Sequence, residues 1–155
     1  MPLNLEEHKC AMKKEKGFSL IELLIVVAVI GVIAAIAVPN LVRSKVVANE
    51  GKAITSVRSL GTAQVTYATR NGAGTFAADL STLETAGLID SVLGSGTTDS
   101  YAFSVSGSGV TFQINATPLV YQTTGIRSFY ADESGVIRYN TANARATASS
   151  PGLGQ

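Results

Sequence analysis

The chain has 155 residues, 46% of them hydrophobic, and its 12 Lys and Arg residues against 11 Asp and Glu leave a formal charge of +1. That length leaves room for one modest domain beside an apolar segment, and a charge so close to zero argues against a nucleic-acid-binding surface, which would show a basic excess. The only cysteine is Cys10 and the only histidine is His8, so the chain beyond residue 10 offers no Cys or His nucleophile, no Ser-His-Asp triad and no soft-metal site.

The first predicted element is an apolar run from Phe18 to Val38, in which Glu22 is the only charged residue. About 20 apolar residues rising 1.5 Å each cross a hydrocarbon core of about 30 Å. Lys9, Lys13, Lys14 and Lys16 precede the run, and the positive-inside rule keeps them in the cytoplasm and sends everything after Val38 across. An ionisable group within a span costs roughly 2.5 to 3.5 kcal/mol, so Glu22 calls for a partner. A free amine at Phe18 would be one. Ala35-Ile36-Ala37 also fits the A-x-A site of an ordinary secretory signal, which would release a secreted binding module or enzyme starting at Val38. Two features weigh against that alternative: Glu22 interrupts the apolar stretch near its start, and the helical pattern continues past Pro39.

The stretch from Lys13 to Pro39, with Gly17-Phe18 at its junction, Glu22 four residues on and Pro39 at its end, resembles the type IV pilin family, including the pseudopilins of type II secretion. The resemblance implies a leader at 1–17, cut after Gly17 by a prepilin peptidase that also N-methylates Phe18. Glu22 and Phe18 would then act in assembly. It implies a structural subunit and no enzyme, with no cofactor. Such a subunit waits in the bacterial inner membrane as a single-pass protein among lipid, its C-terminus outside the cytoplasm. An inner-membrane assembly platform then extracts it into a helical filament of identical subunits, an extracellular type IV pilus serving motility, adhesion or DNA uptake. The alternative within the superfamily is the major pseudopilin of a type II secretion system. Met12 as the start would give a short basic leader. Many type IV pilins close their C-terminal region with a disulfide, which this chain cannot form. Four of the basic and three of the acidic residues lie in the leader, so the remainder carries eight of each and is formally neutral.

Past Pro39 the chain reads as an amphipathic helix over 39–71. Val46, Ala53, Val57, Leu60, Gln64 and Tyr67 share one face, extended by Ile54, Gly61, Val65 and Ala68. Pro39, which lacks an amide donor, and Gly31, which lowers helix propensity, are the expected kink positions, with Ile33 to Asn40 as the stretch that weakens in resembling filaments. Arg43, Lys45, Lys52, Arg58 and Arg70 form a basic stripe interrupted by Glu50, which reads as a solvated face and not a nucleic-acid site. A C-cap at Asn71-Gly72, with Gly72 left-handed, should end the helix.

A connector follows over 72–100, in which Ser81-Thr82-Leu83-Glu84 has capping-box spacing and predicts a helix over Leu80 to Ala86 ended by Gly87. Alternation at Tyr101, Phe103 and Val105, a turn at Gly107-Ser108-Gly109, and alternation at Val110, Phe112 and Ile114 predict a hairpin. Ser128 to Ala131, the turn Asp132-Glu133-Ser134-Gly135 and Val136 to Tyr139 predict a second. The expected fold is therefore α+β, a long N-terminal helix with its lower half transmembrane, packed on a four-stranded antiparallel sheet over 101–140. The Asp132 to Gly135 turn lacks the spacing of a calcium loop, so no metal is assigned. A flexible tail is expected over 141–155.

Overall fold

The structure is a computed structural model that describes residues 17–98 and 100–154. The chain divides into two units at the Val38–Pro39 boundary. Helix α1 (Leu20–Arg70) contributes to both, with Pro39 inside it.

In the first unit every described residue, 17–38, is exposed. Here α1 has no buried face because apolar side chains occupy all its sides. It is a helix long and apolar enough to cross a membrane by length and composition. The helix begins after Ser19, whose carbonyl accepts from Leu23 N at 3.3 Å.

The second unit lays α1 from Pro39 onward against a four-stranded antiparallel meander of order β1-β2-β3-β4, built from β1 (Tyr101–Ser108), β2 (Thr111–Pro118), β3 (Ser128–Asp132) and β4 (Arg138–Asn140). Val105 pairs with Ile114, Asn115 with Tyr130 and Phe129 with Tyr139. The inward positions of β1 and β2, Tyr101, Phe103, Val105, Phe112, Ile114 and Ala116, are buried against Ala53, Val57, Leu60 and Ala63 of α1. This is the one-faced burial that alternating strands predict. The fold is pilin-like α+β, a long N-terminal helix packed on a four-stranded antiparallel sheet.

Between helix and sheet lie α2 (Leu80–Thr85) and α3 (Ser91–Gly94), the latter absent from the sequence reading. Asp79, and not Ser81, caps α2, accepting from Thr82 N at 2.8 Å. Gly87, at φ +68°, ends that segment, and Leu88 N closes back on Leu83 O at 3.0 Å. Gln64 ties the connector down: its Nε2 donates to Ala77 O at 3.0 Å and its Oε1 accepts from Ala77 N at 2.8 Å, so this wholly buried amide is satisfied at both ends.

The structure differs from expectation at further places. The return strand of the second hairpin is Arg138–Asn140 and not Val136 to Tyr139, so Val136 and Ile137 lie outside the sheet. Gly72 is not left-handed; that conformation falls to Ala73 (φ +47°) and Gly74 (φ +92°). Gly72 is needed for close approach instead, since a Cβ there would sit 2.0 Å from Thr75 O. The first hairpin turns through Gly109 and Val110, because Ser108 and Thr111 already pair, and this leaves Val110 74% exposed outside the strand. The tail beyond Thr141, expected to be flexible, packs along β4. Tyr139 N donates to Pro151 O at 3.0 Å, Leu153 N to Ile137 O at 2.7 Å and Ser128 Oγ to Ala144 O at 2.7 Å, with Ala146 buried. Backbone pairing, with Ala146 buried and Leu153 packed against the core, holds a segment whose composition alone suggested disorder.

Candidate functional site

The Gly17-Phe18 junction stands open. Gly17 has no described atom within 4 Å of a built Cβ, and Phe18 is 84% exposed. The leader's Lys13, Lys14 and Lys16 lie outside the described residues. Glu22 is exposed, and its Oε2 accepts from Ser19 N at 2.9 Å. Ser19 stands at the N-cap and Glu22 three positions on, so this is the backward half of a capping box, a carboxylate satisfying a donor at the positive end of the helix. In the intact chain the nitrogen of Phe18 is a peptide nitrogen, so no amine is present for Glu22 to meet. The carboxylate instead reaches the N–H of the next residue, Ser19. Gly31 has open space around it, and Pro39 opens the second unit's stretch of α1.

A second carboxylate, which the sequence reading took as an interruption of a basic stripe, proves central to the head. Glu50 is 4% exposed. Its Oε1 accepts from Ile126 N at 2.9 Å and Arg127 N at 3.0 Å, and its Oε2 accepts from Arg127 Nε at 2.8 Å. One turn of helix thus holds the loop joining β2 and β3, because Asn49 beside it donates to Thr124 O at 3.0 Å. The Arg127 guanidinium lies 5.7 Å from the Phe129 ring centroid and 5.8 Å from that of Tyr139. Tyr101 donates to Arg127 O at 2.7 Å; burial, and secondarily the Glu50 carboxylate, raise its hydroxyl pKa well above the ordinary tyrosine range. A readable signal existed, because Glu50 sits four residues past Val46 and three before Ala53, on the apolar stripe. A charge placed there must find partners.

The Asp132 to Gly135 segment is a turn that Asp132 stabilises by accepting from Ser134 N at 3.0 Å and from Ser134 Oγ, with Gly135 at φ +73°. Among the described residues no cluster of three or more His, Cys, Asp or Glu is placed to hold a metal ion. The Arg43 to Arg70 stripe is divided by Glu50, which turns inward.

These features define a class, an α+β head carried on an apolar helix that is open on all sides at its N-terminal end. Residues 12–38 match the prokaryotic N-terminal methylation motif. The chain is 44% identical over 54 residues to the type IV major pilin protein PilA of Myxococcus xanthus, covering 35% of this chain and 24% of that protein. It is 39% identical over 56 residues to the type II secretion system core protein G of Vibrio cholerae, covering 36% and 38%. It is 48% identical over 52 residues to a fimbrial protein of Pseudomonas aeruginosa, covering 34% of each. The chain therefore spans less than two fifths of the length of these relatives. Their names describe pilus and secretion-system components. No solved structure matches.

Proposed function

We propose that this chain is a prepilin whose mature form polymerises through its N-terminal helix into a type IV pilus. The observation that carries the reading is the coincidence, over one stretch, of the methylation motif at 12–38 with a helix that has no buried residue there. Eighteen exposed apolar residues between Phe18 and Val38 are unstable in water, so lipid must cover them first and copies of the same helix afterwards. Prepilin peptidase cuts after Gly17, where the absence of a side chain leaves the peptide bond accessible, and methylates the new N-terminus at Phe18. The Phe18 amine carries a positive charge around neutrality, its reference pKa being near 7.7 to 8.0. Glu22, already bonded to the adjacent residue's N–H, meets that amine on its own helix or on a neighbouring one. In a low-dielectric filament core a subunit docked in the wrong axial register leaves both charges unpaired, so the pair sets stagger while the apolar surface supplies adhesion. The protein starts in the inner membrane with its head outside the cytoplasm, where the assembly platform takes it up. Its role is structural and requires no catalysis.

The test is Glu22→Ala in a strain where it is the sole subunit. Membrane insertion should improve and sheared filament yield should fall. Normal yield would remove the register role. A second reading, the major pseudopilin of a type II secretion system, draws support from the 56-residue match to core protein G. Loss of surface filaments in a deletion strain, with protein secretion intact, separates the two.

A further inference from the structure

Two grooves of about 780 Å³ each flank the head portion of α1. One is lined by Lys45, Asn49, Lys52 and Ser56 and walled by Thr98, Tyr101, Thr123 and Thr124. Its far wall is the loop that Glu50 and Asn49 hold in place. No acidic residue lines this groove among the described residues. Both lysines are exposed, and neither joins the sole ion pair among the described residues, that of Glu50 with Arg127.

The second groove lies between Arg58, Gly61, Thr62 and Val65 of α1 and the β3–β4 turn, whose Asp132 and Glu133 line it. Glu133 is exposed, and one of its oxygens accepts from Phe112 N at 3.3 Å while the other has no partner among the described residues. Arg58 shares the groove without pairing with either acid, and Val65 and Val136 add exposed apolar surface. At 100° per residue the two sets of α1 positions lie roughly 160° apart, on opposite shoulders of the buried stripe.

Resting on the filament reading, we infer that the Lys45–Lys52 groove of one copy receives the Asp132–Glu133 turn of a neighbouring copy. Charge complementarity favours this occupant: on one shoulder of α1 lies a groove whose described lining holds two cations and no acid, and on the other a turn that carries two carboxylates. Such a contact is heterologous. It leaves a free groove at one end of any chain of copies and a free turn at the other, so it propagates as an open helical assembly instead of closing a dimer. Lys45 and Lys52 are seven residues apart, or about 10 Å of helix rise, a span that two adjacent carboxylates and two flexible lysine side chains bridge. The contact gives the heads a polarity check that non-directional burial of the N-terminal helices lacks.

The experiment is a charge-reversal cycle in the full chain as sole subunit, read as sheared filament relative to total protein. Lys52→Glu and Glu133→Lys should each lower yield at least about tenfold, since like charges across an interface are costly, and their combination should return it to within about threefold of wild type. Full yield from both single variants, or a combination worse than either, overturns the contact. So does loss of membrane retention in Lys52→Glu with normal assembly of Glu133→Lys, which would assign the lysines to anionic headgroups. Cross-linking keeps the test independent of folding losses. The sole natural cysteine, Cys10, precedes Gly17. Oxidised filaments carrying Lys52→Cys with Glu133→Cys should therefore give a disulfide-linked ladder, and abundant filaments without one refute the inference. A wild-type chain that makes no filament removes the underlying reading and this contact with it.

Discussion

Glu22 and Glu50 lie on the same helix and meet opposite conditions. Glu22 is exposed and satisfies only its own chain, at Ser19 N. Glu50 is buried and takes three hydrogen bonds from a loop 76 and 77 residues away in sequence. The helix around Glu50 is finished within one molecule, whereas the helix around Glu22 is wrapped in exposed apolar side chains and lacks the partners that would cover them. The head completes its contacts within one molecule, and the N-terminal segment leaves its apolar surface for other molecules to cover, which is the division of labour the proposed filament subunit requires.

The largest effect on the head should come from breaking the Glu50 contact. Glu50→Ala strands two backbone N–H groups and a half-buried guanidinium, and should cost about 2 to 4 kcal/mol of stability, less than a wholly buried pair because Arg127 keeps part of its hydration. Glu50→Gln, which keeps the acceptor oxygen, should lose clearly less. Thermal unfolding of the chain in detergent measures both. Equal losses would show that side-chain shape and not hydrogen bonding holds the loop. The same variants should leave the helix signal of the N-terminal segment unchanged, which tests the independence of the two regions.

Gly125→Ala comes next. A Cβ at that position would lie 2.1 Å from the Tyr101 hydroxyl oxygen and 2.6 Å from its ring carbon. Overpacking of this kind typically costs about 1 to 3 kcal/mol. Adding Tyr101→Phe should recover part of the loss, since it deletes the nearest atom but leaves the ring. No recovery would place the strain in the loop backbone.

On the N-terminal side Gly17→Leu should leave an uncleaved membrane precursor with an unaltered head. Maturation at the same bond would contradict the peptidase reading.

The smallest effect is expected at Asp79. The Thr82 hydroxyl, then the Thr82 N–H and the Ser81 hydroxyl hold its carboxyl below the ordinary value. A depressed folded pKa contributes stability above the unfolded value of about 3.9, and that contribution fades as pH falls through the folded value. Asp79→Ala should therefore lower the melting temperature slightly at neutral pH, and the difference from wild type should close below about pH 4. A gap that persists at lower pH would mean that the cap acts through shape and not charge.

The sequence made the helix, both hairpins and the apolar faces of β1 and β2 legible because their periods are local and strong. It hid whatever depended on contacts distant in sequence. Glu50 looked like a surface charge because Arg127 is far along the chain, although its place on the apolar stripe was a sign. The tail looked disordered because Ala, Ser, Thr and Gly carry little burial energy, while the β4 edge that receives its backbone is set by the sheet. The Gly17 and Phe18 assignments rest on the resemblance of Lys13 to Pro39 to the type IV pilins, whereas the residues alone offered only a carboxylate near the start of a span, which calls for a partner. The partner Glu22 takes in the unprocessed chain, Ser19 N, follows from the helix starting after Ser19, a boundary that periodicity does not resolve.

The most direct measurement is mass spectrometry of the N-terminus of the mature protein, recovered from sheared surface filaments. The account predicts a chain beginning at Phe18 and carrying N-methylation, with nothing retained from Met1 to Gly17. A chain beginning at Val38, or one that keeps its leader intact, would contradict it.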